Sequence, residues 1–232
     1  MKIGLLVAMS SERERVEDLL NIQKRENVNH LNFLISQFGE NTIILAESGI
    51  GKVNASITTL EMIKNYAPDC IISTGLAGSL SSLVSVLDVV IGEKLAYHDV
   101  DCTDLNYEYG EIPKYPVYYE SDKKLLDLAN TFMDGKHIHG GLICSGDQFI
   151  SSKERIEDIM KKFPSTLAVE MESCAIAHVC YLYKVPYICF RVISDIPGTE
   201  NHIASCEDFE NVMTSKSFEI IQKVLESMPS HL

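Results

Sequence analysis

Residues 41–79 read NTIILAESGIGKVNASITTLEMIKNYAPDCIISTGLAGS, and this stretch decides the fold class. Asn41–Glu47 is a short apolar run of strand length. Ser48-Gly49-Ile50-Gly51-Lys52 then turns the chain into a helical segment from about Val53 to Tyr66, which Pro68-Asp69 ends. Cys70–Thr74 follows as a fully apolar-faced strand, buried on both sides, and runs into Gly75-Leu76-Ala77-Gly78-Ser79. Strand, helix and strand joined by glycine turns are the repeating unit of an α/β domain.

The same alternation extends outward in both directions. Toward the N-terminus, Leu31–Phe38 pairs with Asn41–Glu47 as a hairpin across Gly39-Glu40. Lys2–Ala8 reads as a strand, and Ser10–Gln23 as an amphipathic helix with Val16, Leu19 and Leu20 on one side. Toward the C-terminus, strands are expected at Leu87–Glu93 (continued by Leu95–Val100 after a bend), His139–Ser145, Thr166–Val169 and Tyr187–Ile193. Helices are expected at Ser121–Met133, Ser151–Lys162, Ser173–Tyr183 and Ser205–Met228. The pattern predicts a three-layer αβα sandwich. No repeat, low-complexity tract or linker divides the chain, so residues 1–232 read as one domain. Residues 101–119 interrupt the alternation with Tyr107, Tyr109, Tyr115, Tyr118, Tyr119, Pro113 and Pro116, a loop that reads as a flap or an interface.

Composition sets the class of partner. Of 232 residues, 46% are apolar and 23% charged, as in a globular domain with a sizeable core. The formal charge of −13 repels phosphate backbones and anionic lipid, which argues against nucleic acid and membrane and for a small neutral or cationic ligand. No apolar run approaches the ~20 residues of a bilayer span, and Met1–Ala8 is too short for a signal peptide, so a cytoplasmic protein is expected. The seven cysteines lie mostly in apolar runs (Cys70, Cys144, Cys180, Cys189) without paired spacing, as reduced packing thiols do.

Most small constellations have bland readings. Gly49-Ile50-Gly51-Lys52 opens a helix, as an anion-binding turn would, but lacks phosphate-loop spacing and fits a turn of unusual dihedrals better. Cys174 and His178 share a helix face that is almost wholly apolar, so they read as core; His98-Asp99 with Asp101, and His137 with His139, read as turn or surface. No metal is expected. The carboxylates at the ends of predicted strands carry more: Glu12, Glu170 and Glu172, and Asp195, with Arg191 inside the last apolar run. In α/β sheets ligands bind at the carboxyl ends of strands, so these groups can converge in one crevice with pKa values suited to acid/base hydrolysis. The same residues serve equally well as caps and salt-bridge partners.

Beyond spacing, the chain resembles the bacterial 5′-methylthioadenosine/S-adenosylhomocysteine nucleosidases of the nucleoside phosphorylase superfamily. The resemblance runs nearly end to end. It is carried by Ala8-Met9 with Glu12; Ser48-Gly49-Ile50-Gly51-Lys52-Val53-Asn54-Ala55; Thr74-Gly75 with Ala77-Gly78; and Tyr97-His98-Asp99. Further carriers are Tyr107-Glu108-Tyr109-Gly110, Ser145-Gly146-Asp147 with Phe149-Ile150, Val169-Glu170-Met171-Glu172, and Arg191 with Ile193-Ser194-Asp195.

The resemblance implies a nucleoside phosphorylase-like fold with a central mixed, twisted sheet. It also implies hydrolysis of the N-glycosidic bond of a 5′-substituted adenosine, without metal or cofactor. By match, Asp195, held by Ser194, donates a proton to purine N7, and Glu12 orients and deprotonates the attacking water with Arg191 nearby. Glu172 accepts the ribose hydroxyls and Met171 packs on the sugar. Phe149 stacks on the purine, main-chain groups of Gln148 and Ile150 read its edge, and Met9 and Ile50 wall the site, with Ile50 near the 5′ group. Tyr107 and Pro113 reach the pocket of a second subunit, which implies a homodimer. Leu76 stands where the family has a small hydroxyl residue, Cys102 and Leu105 replace common apolar residues of the aromatic loop, and 196–209 does not align cleanly with the usual 5′-pocket aromatic. Three rival functions remain: a purine nucleoside phosphorylase, a futalosine-type or 5′-deoxyadenosine hydrolase, and a catalytically silent nucleoside-binding protein. The phosphorylase is opposed by Leu76 and by the lack of arginine near Gly4–Met9. The silent binder is opposed by the retention of Glu12, Glu172, Arg191 and Asp195 together.

Overall fold

A computed structural model describes residues 1–197 and 216–231. Ten strands form one mixed sheet: β1 (Lys2–Val7), β2 (Ile22–Val28), β3 (Leu31–Phe38), β4 (Asn41–Glu47), β5 (Cys70–Ser79), β6 (Val89–Tyr97), β7 (Tyr119–Glu120), β8 (Ile138–Ser145), β9 (Thr166–Glu170) and β10 (Tyr187–Asp195). The helices are α1 (Ser10–Leu19), α2 (Lys52–Tyr66), α3 (Lys123–Asn130), α4 (Lys153–Lys162), α5 (Ser173–Tyr183) and α6 (Lys216–Ser227). Of the helix expected over Ser205–Met228, residues 205–215 lie outside the described residues.

The period-2 pleat divides the apolar side chains between two cores and so creates the three layers. Ile3, Leu5, Val7, Ile43, Leu45, Cys70 and Ile72 join Val16 of α1, Leu125 and Ala129 of α3, and Ile221, Val224 and Leu225 of α6 on one face. Leu6, Ile44, Ala46 and Ile71 join Ala55 and Met62 of α2 and Cys174–Ala177 of α5 on the other. Each strand of the central region is therefore apolar on both sides, which is why these strands read from sequence as continuous apolar runs.

Two features were not anticipated. The expected helix over 10–23 stops at Leu19, and Ile22–Val28 becomes an edge strand paired antiparallel with β3. Its sequence, IQKRENV, is largely solvent-facing and carries no apolar alternation, so its ladder hydrogen bonds define it and its side chains do not. The sheet also closes partly on itself: the path β10-β6-β8-β9-β5 returns to β10 through a β5–β10 pairing, while β1, β4, β3 and β2 extend from β5 as an open wing. Residues 101–119 are largely irregular, with one 3-10 turn at Thr103–Leu105, and end in the short strand β7.

Candidate active site

The site forms where β5 changes partners. On one edge β5 pairs with β1 at Cys70–Ser73, and again only at Gly78 and Ser79, where β9 takes over antiparallel. On the other edge β10 accompanies it to Asp195, opposite Gly78. The partners β1 and β9 diverge between those points and leave a crevice at the carboxyl ends of strands, where α/β sheets bind ligands. The resulting cavity of about 750 Å³, open mouth included, has the size of a small-molecule pocket.

Its lining brings together Met9, Glu12, Ile50, Gln148, Phe149, Ile150, Met171, Glu172, Arg191, Ser194 and Asp195, residues that the sequence spreads over nearly two hundred positions. Tyr107 and Pro113 do not line it. Leu76, Ala77, Gly78 and Glu170 also line it. The wall is apolar and partly open, with Phe149 54% and Ile50 52% exposed, whereas the charged groups are nearly sealed from solvent.

Glu12 lies in the first turn of α1, where its Oε2 accepts hydrogen bonds from the Ala8 and Met9 amides at 2.9 and 3.0 Å. Its Oε1 accepts from the Leu76 amide at 3.2 Å. Burial pushes its pKa up, against the pull of Arg191 and of these amides, so Glu12 holds a proton more readily than an exposed glutamate. Arg191, in the middle of β10, is fully enclosed. It donates from Nε to Ser173 Oγ at 3.0 Å and from Nη2 to Glu170 Oε2 at 2.8 Å, and Nη2 stands 3.9 Å from Glu172 Oε2.

Two carboxylates two residues apart are tuned in opposite directions. Glu170 is desolvated, but Arg191, the Ser145 hydroxyl and the Ser173 and Glu172 amides all bond to its anion and hold its pKa below the usual range. Glu172 is raised, first by burial and then by the Glu170 charge, with only Arg191 and the Gly51 amide (2.9 Å) opposing. Glu170 is thus the permanent anion that balances Arg191, and Glu172 the carboxyl able to exchange a proton. At the end of β10, Ser194 Oγ donates to Asp195 Oδ1 at 2.5 Å and also contacts the Ala77 carbonyl at 3.3 Å, fixing the Asp195 carboxyl against β5.

Sequence assigns no individual role to several supporting residues. Glu170 is one of the strand-end carboxylates expected to converge, with nothing in the sequence to mark it as the partner of Arg191. Ser145 bonds Glu170 and receives the Cys174 amide, a role that its place in the Ser145-Gly146-Asp147 motif does not specify; Ser173, which holds Arg191, has no sequence signal distinguishing it from a surface serine. Gly75 is required by space: a Cβ there would lie 2.3 Å from Arg191 Nη1 and 2.8 Å from Glu12 Oε1. Among the described residues, no group of three or more histidine, cysteine or carboxylate side chains is arranged to hold a metal ion. No described helix is long and apolar enough to cross a membrane.

Comparison with known proteins places this geometry. A 5′-methylthioadenosine/S-adenosylhomocysteine nucleosidase of Bacillus subtilis (strain 168) is 37% identical over 229 residues, 97% of this chain and 99% of that protein. The structure of a nucleosidase of the same name from S. pneumoniae, with a transition-state inhibitor MT-ImmA, superposes with a TM-score of 0.93 at 32% identity over 99% of this chain and 100% of that one. A futalosine hydrolase of Helicobacter pylori strain 26695 gives a TM-score of 0.91 at 31% identity, with 98% of each chain covered. The sequence model of the phosphorylase superfamily matches residues 2–226. A family match over residues 2–226, with relatives 37% identical over nearly the whole chain, makes this protein a member of the phosphorylase superfamily.

Proposed function

We propose that the protein hydrolyses the N-glycosidic bond of 5′-methylthioadenosine, S-adenosylhomocysteine or a closely related 5′-substituted adenosine, releasing adenine and a 5′-substituted ribose. The observation that carries this reading is the charge balance of the cleft. Glu12, Glu170, Glu172 and Asp195 line it against a single arginine that is already bonded to Glu170 and Ser173. With Arg191 balanced by Glu170 and Asp195 carrying the proton it donates, ionised Glu12 leaves the cleft with a surplus of negative charge, which favours the oxocarbenium-like cation that develops on the ribose as the bond breaks. The same surplus opposes a phosphate dianion, so water rather than phosphate is the nucleophile.

In this mechanism Asp195, oriented by Ser194, delivers a proton to purine N7 as the C1′–N9 electron pair returns to the base. Glu12 removes a proton from the water that attacks C1′. Its raised pKa makes it a better base toward water than an exposed carboxylate, and Arg191 keeps enough of it ionised to act. Both protons exchange with solvent after product release, restoring the starting state. Glu172 accepts hydrogen bonds from the ribose hydroxyls, Met171 packs beneath the sugar, and Phe149 covers the purine. Main-chain groups of Gln148 and Ile150 read the edge of the base.

The working unit in this reading is a homodimer. Ile50, Val53 and Ile57 expose an apolar stripe that begins at the lip of the cleft, and Leu105 of the 101–119 segment is 66% exposed. An unpartnered patch of this kind marks an interface. Tyr107 and Pro113, absent from the cleft of their own chain, then face that of the partner.

The test is adenine release by the purified protein from a panel of methylthioadenosine, S-adenosylhomocysteine, 5′-deoxyadenosine, futalosine and adenosine, with and without phosphate. Release from the first two independent of phosphate is expected. Strict phosphate dependence overturns the hydrolytic mechanism, and activity confined to futalosine reassigns the substrate.

A further inference from the structure

Three loops at the carboxyl ends of β4, β6 and β8 meet on Lys52, a residue outside the chemistry described above. Its ammonium donates to Asp99 Oδ2 at 2.6 Å and stands 3.7 Å from Asp147 Oδ2; its amide donates to Asp147 Oδ1 at 2.8 Å. Asp99 Oδ2 also accepts the Asp147 amide at 2.8 Å. Lysine is an unfavourable choice here, because it begins α2, where the helix dipole disfavours positive charge. The two aspartates offset that cost and place the charge between two loops. Lys52 is 23% exposed and Asp99 10%, which leaves the pair stronger than a fully exposed ion pair.

What it ties are the two lips of the cleft. One lip is the glycine turn that carries Ile50 and the Gly51 amide bonded to Glu172. The other is the loop after β8, in which Asp147 directly precedes Gln148, Phe149 and Ile150. Contact between them is tight: a Cβ on Gly51, where φ is +95°, would lie 3.0 Å from Asp147 Oδ1. We propose that Lys52, through Asp99 and Asp147, is a positioning residue that sets the separation of the two lips and thereby the affinity for the purine. The chemical step is set elsewhere, by Glu12, Arg191 and Asp195.

This inference rests on the nucleosidase reading, and the experiment separates the two. KM and kcat for methylthioadenosine and the Kd for adenine are measured for wild type, Lys52→Met, Lys52→Arg and Asp99→Asn. Lys52→Met keeps the amide bond to Asp147 and loses only the ammonium. It is expected to raise KM and the adenine Kd together by about tenfold, or about 1.4 kcal/mol, with kcat reduced less than about threefold. Lys52→Arg, which retains the charge, recovers both to within about threefold of wild type. Asp99→Asn weakens binding in the same sense, and combined with Lys52→Met it adds little further loss. Unchanged KM and adenine affinity in Lys52→Met, a fall in kcat alone, or an arginine variant no better than methionine overturns the role. A wild-type protein that neither hydrolyses methylthioadenosine nor binds adenine overturns the nucleosidase reading instead.

Discussion

Replacing Gly75 with alanine inserts one methyl group against Arg191 and Glu12, the two groups proposed to handle the attacking water. The new Cβ would lie 2.3 Å from Arg191 Nη1 and 2.8 Å from Glu12 Oε1, where ordinary contacts need about 3.5 Å. The backbone of β5 has little room to yield, since it is paired with β10 from Ile71 to Gly78. Nor does the guanidinium, pinned by Glu170 at 2.8 Å and Ser173 at 3.0 Å. Relief therefore comes from moving Arg191 and Glu12 apart by about 1 Å, a displacement that costs on the order of 10²-fold in rate when it falls on catalytic groups. Overpacking adds roughly 1–3 kcal/mol of destabilisation, a fall of ~2–4 °C in Tm per kcal/mol for a chain of this size. The purine contacts proposed for Gln148–Ile150 lie in the loop after β8, which the added methyl group does not touch, so adenine affinity should hold. Steady-state kinetics with methylthioadenosine, adenine titration and thermal melts give the three readouts on one preparation. A folded Gly75→Ala variant with kcat within about threefold of wild type would falsify the claim that this contact sets the nucleophilic side of the site.

Further outcomes follow from the same geometry. Asp195→Asn should lower kcat by ~10²–10⁴-fold with the melting curve little changed, since the amide supplies no acid proton; near-wild-type turnover would remove Asp195 from that role. Burial and Glu170 raise Glu172, so in the folded state it prefers its neutral form. Stability from this preference is complete below its unfolded pKa of 4.5 and is lost as pH rises through the folded value. Glu172→Gln should therefore gain in Tm over wild type as pH rises from about 5 to about 8, and a constant difference would show that Glu172 is not raised. Tyr107→Ala should raise KM for methylthioadenosine more than for adenosine in a dimeric protein; sedimentation as an active monomer, or unchanged selectivity, would remove the partner-loop assignment.

The layered architecture was legible because its strands are apolar on both faces. Runs such as Ile43–Ala46 and Cys70–Ile72 bury alternate residues against helices on opposite sides, so they appear in sequence as unbroken apolar stretches between glycine turns. Helix α5 was legible to its ends because Ser173–Tyr183 is apolar almost all round. Strand β2 was not, since a polar edge strand is held by backbone pairing that leaves no side-chain pattern. Lys52, Asp99 and Asp147 enter the sequence reading only within the motifs that carry the resemblance and, for Lys52 and Asp99, as turn or surface residues; their ion pairing becomes visible only when three separate loops meet.

The sequence by itself determined the alternation of the central strands and helices, the edge strand β2 excepted, and the presence of carboxylates where strands end, because both depend on residues close along the chain. Tertiary structure alone decided that β5 exchanges β1 for β9, opening the crevice, and that β10 closes the ring and carries Arg191 beneath it. It also decided what each carboxylate does. Glu170 and Glu172 are chemically identical and two residues apart, yet one is lowered and the other raised. The difference arises from the partners that long-range packing supplies: an arginine, a hydroxyl and two amides for the first, and chiefly burial beside a fixed negative charge for the second.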